Sequence, residues 1–238
     1  MKIGLMLATA VTTLIALPVH AMDKTEPRFT RVLIDQLEVR DADQGMVGAW
    51  DASAWYGGDI NKLYLASEGE RLMEHEGETE SFETRAAWSH AFSPFWDWKL
   101  GARRDWQPDH PNRDWASVGL QGLAPYWFET SLDLFIGERG LSNLRLEAEY
   151  DLLLTQRLIL APEIETNLYG KEDTDLGVGA GLTDIELGLR LRYEIRREFA
   201  PYIGLHWQRQ FGDTAGFTRE RGGEVEQTTL VAGFRIWF

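Results

Sequence analysis

From residue 29 onward, apolar and polar positions alternate with a period of two, the spacing that puts successive side chains on opposite faces of a β-strand. Leu144, Leu146, Ala148, Tyr150, Leu152 and Leu154 fall on one face, and Arg145, Glu147, Glu149 and Asp151 on the other. Farther along, Ile185, Leu187, Leu189, Leu191, Tyr193 and Ile195 oppose Asp184, Glu186, Arg190, Arg192 and Glu194. The segments 126–137 and 157–169 behave alike, with Leu132 and Leu134 against Ser131 and Asp133, and Leu160 and Ile164 against Glu163 and Glu165. About twelve such segments can be marked: 29–40, 45–56, 60–72, 80–92, 95–106, 114–122, 126–137, 141–154, 157–169, 182–196, 199–212 and 226–238.

The connections tend to alternate in length. Gly57-Gly58-Asp59, Ser93-Pro94, Leu123-Ala124-Pro125, Thr155-Gln156 and Arg197-Glu198 read as tight turns, whereas 73–79, 107–113, 170–181 and 213–225 read as longer polar loops. Short turns joining neighbouring strands require an antiparallel arrangement. A soluble sandwich would turn its charged face to water and its apolar face to a core. Here one face is charged on nearly every strand and the other is continuously apolar and often aromatic. That suits a barrel in lipid, with apolar groups outward and polar groups inward. The expectation is an all-β fold, a transmembrane antiparallel up-and-down β-barrel of about twelve strands with a polar, charged lumen. Its short turns would lie in the periplasm and its long loops outside.

Both ends of the chain point the same way. Lys2, the apolar run Ile3–Leu17 and the small-residue site Val19-His20-Ala21 form a signal peptide, cleaved near Ala21. The expected organisation is a signal peptide at 1–21, a short periplasmic lead-in at 22–28, and an outer-membrane barrel at 29–238 in a Gram-negative cell. At the other end Leu230, Ala232, Phe234, Ile236 and Phe238 alternate to the last residue, resembling the terminal strand that the outer-membrane assembly machinery reads.

Composition narrows the partners. The formal net charge of −14 argues against nucleic acid, whose phosphates need a basic surface, and favours cations. The absence of cysteine excludes a disulfide scaffold, a thiolate metal site and a cysteine nucleophile. Ten Trp, seven Tyr and eleven Phe suit two aromatic girdles in outer-membrane lipid. Aromatics cluster at segment ends: Tyr56, Phe92, Phe95, Trp96, Tyr126, Trp127, Phe199, Tyr202 and Trp237 toward the turns, and Trp106, Trp115, Tyr169 and Phe211 toward the loops.

The strand phases place Glu83, Arg85, Asp97, Lys99, Arg103, Asp105, Asp133, Arg145, Glu147, Glu163, Glu165, Glu186, Arg190, Arg192, His206 and Arg235 among the inward residues, with none from the first three strands. Twelve strands are too few for a wide porin channel. Two readings stay open: a lumen plugged by ion pairs, or a narrow polar path whose negative field attracts cations.

Several stretches resemble the outer-membrane copper resistance protein B family. They are Ala54-Trp-Tyr-Gly-Gly-Asp-Ile-Asn-Lys62, Leu65 through Glu68-Gly69-Glu70, Gly101-Ala-Arg-Arg-Asp105, Gly119 to Phe128, Ser142-Asn-Leu-Arg-Leu-Glu-Ala-Glu-Tyr-Asp151, Pro201-Tyr-Ile-Gly204 and Phe211-Gly-Asp-Thr-Ala215. The resemblance implies an outer-membrane barrel that lowers periplasmic copper by binding or passing the ion, beside a periplasmic multicopper oxidase; a monomer is expected. Many members carry a long Met/His-rich segment ahead of the barrel, where this chain has 22–28.

Copper(I) prefers thioether and imidazole, and copper(II) imidazole and oxygen. The candidate ligands are Met73 and His75, which share a predicted loop with Glu74 and Glu76, then His206, inward by strand phase, His90 near the turn-side rim, and Met46 at the start of the second strand. Each has a plainer reading: a solvated loop for Met73 and His75, a carboxylate-paired lumen histidine for His206, an interfacial residue for His90, and lipid contact for Met46. No two histidines have close ligand spacing, and weak sites suit a path that must release its ion.

Two other function classes compete. A lipid hydrolase would need Ser and His together at the membrane face, yet Ser89 and His90 are adjacent and point to opposite faces, and Ser131 and His206 face inward. A structural barrel or a non-selective cation path is the other.

Overall fold

The computed structural model describes residues 27–42, 45–73, 79–107 and 112–238. The strands are β1 (Phe29–Ala42), β2 (Gly45–Gly57), β3 (Asn61–Leu72), β4 (Thr79–Ala91), β5 (Trp96–Trp106), β6 (Arg113–Ala124), β7 (Phe128–Gly137), β8 (Ser142–Glu149), β9 (Leu152–Leu153), β10 (Leu158–Tyr169), β11 (Gly181–Tyr193), β12 (Phe199–Gln210) and β13 (Glu226–Trp237). Strands pair antiparallel in sequence order, except that β8 and β9 both pair with β10 rather than with each other, and β13 pairs with β1, which closes the sheet. The two-residue β9 continues the line of β8 along β10, so the barrel has twelve staves. Closure satisfies backbone donors and acceptors without leaving an edge, which lipid requires.

The burial pattern is inverted relative to a soluble domain. Leu63, Leu65, Leu100, Leu120, Ile136, Leu189, Ile203 and Leu230 are exposed, while Glu38, Lys99, Arg103, Asp133, Arg145, Arg190 and Arg192 are buried. A lysine or arginine on the lipid face costs about 2–4 kcal/mol at the bilayer midplane and far less at the interface. The outward pair Arg104 and Asp114, bonded at 2.6 Å, accordingly sits beside Trp106 at the loop-side end, with Arg104 stacked 5.2 Å from that ring.

Outward aromatics band both ends. On the turn side, Trp88 and Trp98 meet edge to face at 4.7 Å. Tyr126 and Trp127 project from a 3-10 turn, both in the left-handed backbone region. On the loop side, Phe82 lies 5.7 Å from Trp106 and 6.3 Å from Trp50. Three aromatics lie at the strand ends as expected but face the lumen rather than a girdle: Trp115, Tyr169 and Tyr202. Trp115 is 2% exposed and packs with Phe135, Leu141 and Tyr169 in an apolar cluster at the loop-side end of the lumen. Tyr202 is buried and donates to Glu38 at 2.9 Å. Each falls on the inward phase of its strand, so face decides where it points.

Three connections differ from the pattern. The tight turn expected at Leu123-Ala124-Pro125 falls at Pro125–Trp127, because β6 runs through Ala124. The segment 141–154 is interrupted at Tyr150–Asp151, although Tyr150 N still donates to Pro162 O at 3.1 Å. The segment 213–225, expected as a loop, contains helix α1 (Gly212–Glu220). Its two glycines and poor apolar periodicity conceal it, and tertiary docking supplies what propensity does not. Thr214 and Ala215 are buried, and Thr214 Oγ1 accepts from Gly179 N at 2.8 Å, tying α1 to the loop between β10 and β11.

Candidate functional site in the lumen

The period-two phase of each strand delivers its charges inward, and strand pairing then sorts them into rows. Asp51, Glu68, Glu83 and Asp105 lie directly opposite one another on β2, β3, β4 and β5. Glu147, Glu165 and Glu186 form a second row on β8, β10 and β11. Like charges directly across a strand pair destabilise a sheet. Arginines from neighbouring positions partly offset that. Arg145 reaches Glu83 at 3.0 Å, Glu68 at 3.2 Å and Glu165 at 3.2 Å. Arg85 reaches Glu83 at 3.0 Å and Glu68 at 3.3 Å. Arg103 reaches Asp105 at 2.6 Å and Glu83 at 3.2 Å, and stacks 4.5 Å from the Phe135 ring.

These rows surround a cavity of about 370 Å³. Its charged lining comprises ten carboxylates and five arginines, with His206 beside them. Leu176 and Val178 of the β10–β11 loop, with Gln107 and Gln208, line its loop-side end. A separate void of about 10 Å³ lies on the turn side. Gln36, Glu163 and Arg190 line both spaces, so they form the partition between them. Arg190 there holds Glu38 at 3.0 Å and Gln36 at 2.9 Å, and also bonds Glu163. Nearer the turns, Arg192 pairs with Asp151 at 2.6 Å and Arg235 with Asp35 at 2.7 Å. The lumen therefore combines the two arrangements left open by its sequence: an acidic chamber toward the loops and an ion-paired plug toward the turns.

The first three strands contribute Asp35, Gln36, Glu38, Arg40, Asp51, Glu68 and Glu70, none of which the strand phases had placed inward. In β1 a bulge lies between Ile34 and Leu37. It sends Asp35 and Gln36 both to the lumen, so Val32 is outward before it and Leu37 after it. A bulge resets a two-residue period. The available signal was the polar pair Asp35-Gln36 between Ile34 and Leu37, which breaks strict alternation. In β3 the Glu68-Gly69-Glu70 stretch places both glutamates in the cavity wall, and Gly69 gives room to the outward Trp50 and Phe82 rings.

The candidate copper ligands separate. His206 lines the cavity, with Nε2 3.4 Å from Arg40 Nη1 and 3.5 Å from Glu186 Oε2. His90 faces outward between Trp88 and Trp98, with Nδ1 2.9 Å from Asn61 Oδ1. Met46 and Met73 are both exposed and face each other across the β2–β3 hairpin, where Met73 N donates to Met46 O at 2.8 Å. His75 lies outside the described residues. Among the described residues, no group of three or more His, Asp or Glu side chains is placed to hold a metal ion. The serines weighed for hydrolysis bond to acids: Ser89 donates to Asp97 at 2.9 Å, and Ser131 to Glu147 at 3.1 Å.

Comparison with solved structures agrees on the fold. A KdgM porin superposes with a TM-score of 0.51 at 12% identity, covering 87% of this chain and 99% of that one. The same porin in complex with disordered oligogalacturonate gives 0.51 at 13% identity over the same shares. Comparison of sequences reaches further. Copper resistance protein B of Escherichia coli is 49% identical over 207 residues, 87% of this chain and 69% of its own length. A copper resistance protein B homolog of Pseudomonas syringae pv. tomato (strain ATCC BAA-871 / DC3000) is 50% identical over 204 residues, 86% of this chain and 68% of its own. A family model described as copper resistance protein B precursor (CopB) matches residues 28–238, the whole barrel. With its outer-membrane-type barrel, the chain belongs to the copper resistance protein B family.

Proposed function

We propose that this barrel passes copper ions across the outer membrane and so lowers periplasmic copper. The observation that carries this reading is the pair of carboxylate rows, Asp51–Glu68–Glu83–Asp105 and Glu147–Glu165–Glu186, around the lumen cavity. Seven carboxylates in like-charged register work against folding. Their use is a negative field inside a low-dielectric wall, which concentrates cations. Carboxylate oxygens with one imidazole, from His206, suit copper(II). The exposed thioethers of Met46 and Met73, with His75, would offer a softer first contact at the loop side. His90, outward among tryptophans, serves the membrane interface rather than the ion.

The ion is cargo and undergoes no covalent chemistry here. The chain would act as a monomer, after cleavage near Ala21, with 22–28 as a periplasmic lead-in. A periplasmic multicopper oxidase would be the partner that handles copper on the turn side.

The test is copper(II) entry into liposomes carrying the purified full chain, followed by quenching of an enclosed copper-sensitive dye. Entry should exceed that into protein-free liposomes and fall in the Glu147→Gln/Glu165→Gln/Glu186→Gln variant. Equal entry of copper, potassium and magnesium, insensitive to that variant, would replace this reading with a non-selective cation path. No entry of any ion would leave a structural barrel.

A further inference from the structure

Among the described residues, His206 is the one histidine in the lumen, and it is only 7% exposed. Its Nε2 faces the Arg40 guanidinium across a long contact, with Nη1 3.4 Å away, and Glu186 Oε2 lies 3.5 Å from the same nitrogen. The Arg40 guanidinium lies between His206, Glu70, which it bonds through Nη1, and Glu38, which accepts from Nε at 2.8 Å. Glu186 has no Lys or Arg partner within 4 Å among the described residues, and His206 is its one ion-pair neighbour there. Arg40, Glu70, Glu186 and His206 all line the cavity.

We propose that the Arg40 guanidinium stands between three copper(II) ligands, His206, Glu70 and Glu186, which are not gathered to hold a metal ion while it is there, and that an ion moving through the chamber displaces it and draws them together. This rests on the copper-path reading above. One imidazole nitrogen and two carboxylates suit copper(II). Displacement leaves no stranded buried charge, because Glu38 keeps two contacts to Arg190 at 3.0 Å and one to Tyr202 at 2.9 Å. The adjoining cavity gives the arginine room to withdraw. A tethered cation that must be pushed aside weakens the site, as a path that has to release its ion requires.

The test uses the full-length barrel in detergent, copper(II) as the probe, and Arg40→Gln. Removing the competing charge should tighten copper(II) binding about tenfold or more. The bound ion should show the electron paramagnetic resonance coupling of one imidazole nitrogen. Both effects should vanish in Arg40→Gln/His206→Gln. Arg40→Lys keeps the charge but cannot span Glu38 and Glu70 together, and should give intermediate affinity. It also serves if the glutamine variant fails to fold. Unchanged affinity in a folded Arg40 variant, or tighter binding that survives loss of His206, would overturn the subsite. Wild-type copper entry into liposomes, measured alongside, separates the two readings. If it persists, the subsite alone falls, and if it is absent, the copper path falls as well.

Discussion

Arg145 Nη2 lies 3.0 Å from Glu83 Oε2 and its Nη1 lies 3.1 Å from Glu83 Oε1, a two-bond contact across the lumen between β8 and β4. The two strands are not neighbours in the sheet. The pair therefore ties together two parts of the wall four strands apart, with both side chains nearly inaccessible.

Arg145→Met should destabilise the barrel by about 3–5 kcal/mol, because it leaves Glu83 and its neighbours as buried carboxylates with too few counter-charges. Urea unfolding in micelles, followed by tryptophan fluorescence, measures this. Arg145→Met/Glu83→Gln should recover part of the loss. Equal stability of wild type and the single variant would mean that water, not Arg145, neutralises Glu83.

Neutralising a carboxylate row should act on permeation and spare the fold. Glu147→Gln/Glu165→Gln/Glu186→Gln relieves like-charge register, so stability should hold or rise by about 0.2–1 kcal/mol per relieved pair. In planar bilayers under a salt gradient, the reversal potential should move toward zero as cation preference is lost. An unchanged reversal potential would place the selective field elsewhere.

Gly101 on β5 marks a close backbone approach. A Cβ built there would sit 2.1 Å from Ala86 O and 2.6 Å from Ala87 Cα, atoms that cannot rotate away. Gly101→Ala should cost about 1–3 kcal/mol by overpacking. Gly216, whose added Cβ meets nothing within 4 Å, is the control. Comparable unfolding midpoints for the two alanine variants would refute the close approach.

The closing seam can be tested at Val32, whose N donates to Phe238 O at 3.1 Å and whose O accepts from Phe238 N at 2.8 Å. Val32→Pro removes the donor and should cost about 1–3 kcal/mol for the orphaned groups. Val32→Ala should be milder. Heat-modified mobility on gels reports closure, and identical behaviour of the two variants would show that this bond does not hold the seam.

The family to which the chain belongs and the strand frame of the barrel were legible because both are written in local order. Alternation around Leu144–Leu154 and Ile185–Ile195 follows directly from the two-residue period of a strand, and the tight turns at Gly57-Gly58-Asp59 and Arg197-Glu198 demanded antiparallel neighbours. That same period puts Arg145, Glu165, Glu186, Arg190 and His206 in the lumen. It failed in β1, where the bulge after Ile34 flips the phase and hides Gln36, Glu38 and Arg40. It missed α1, whose helix depends on the contact between Thr214 and Gly179.

Local order along the chain suffices for the strand frame and, for most strands, for which residues face in. Each follows from the direction of neighbouring side chains along one strand. Which of those residues meet depends on how the strands pair and close. Arg145 and Glu83 are 62 residues apart, and His206 and Arg40 are 166 apart. Register and barrel closure alone set those distances, and no period in the chain encodes them. The acidic rows, the Arg190 partition and the guanidinium held against His206 are therefore properties of the closed barrel, built from charges that the sequence could only point inward.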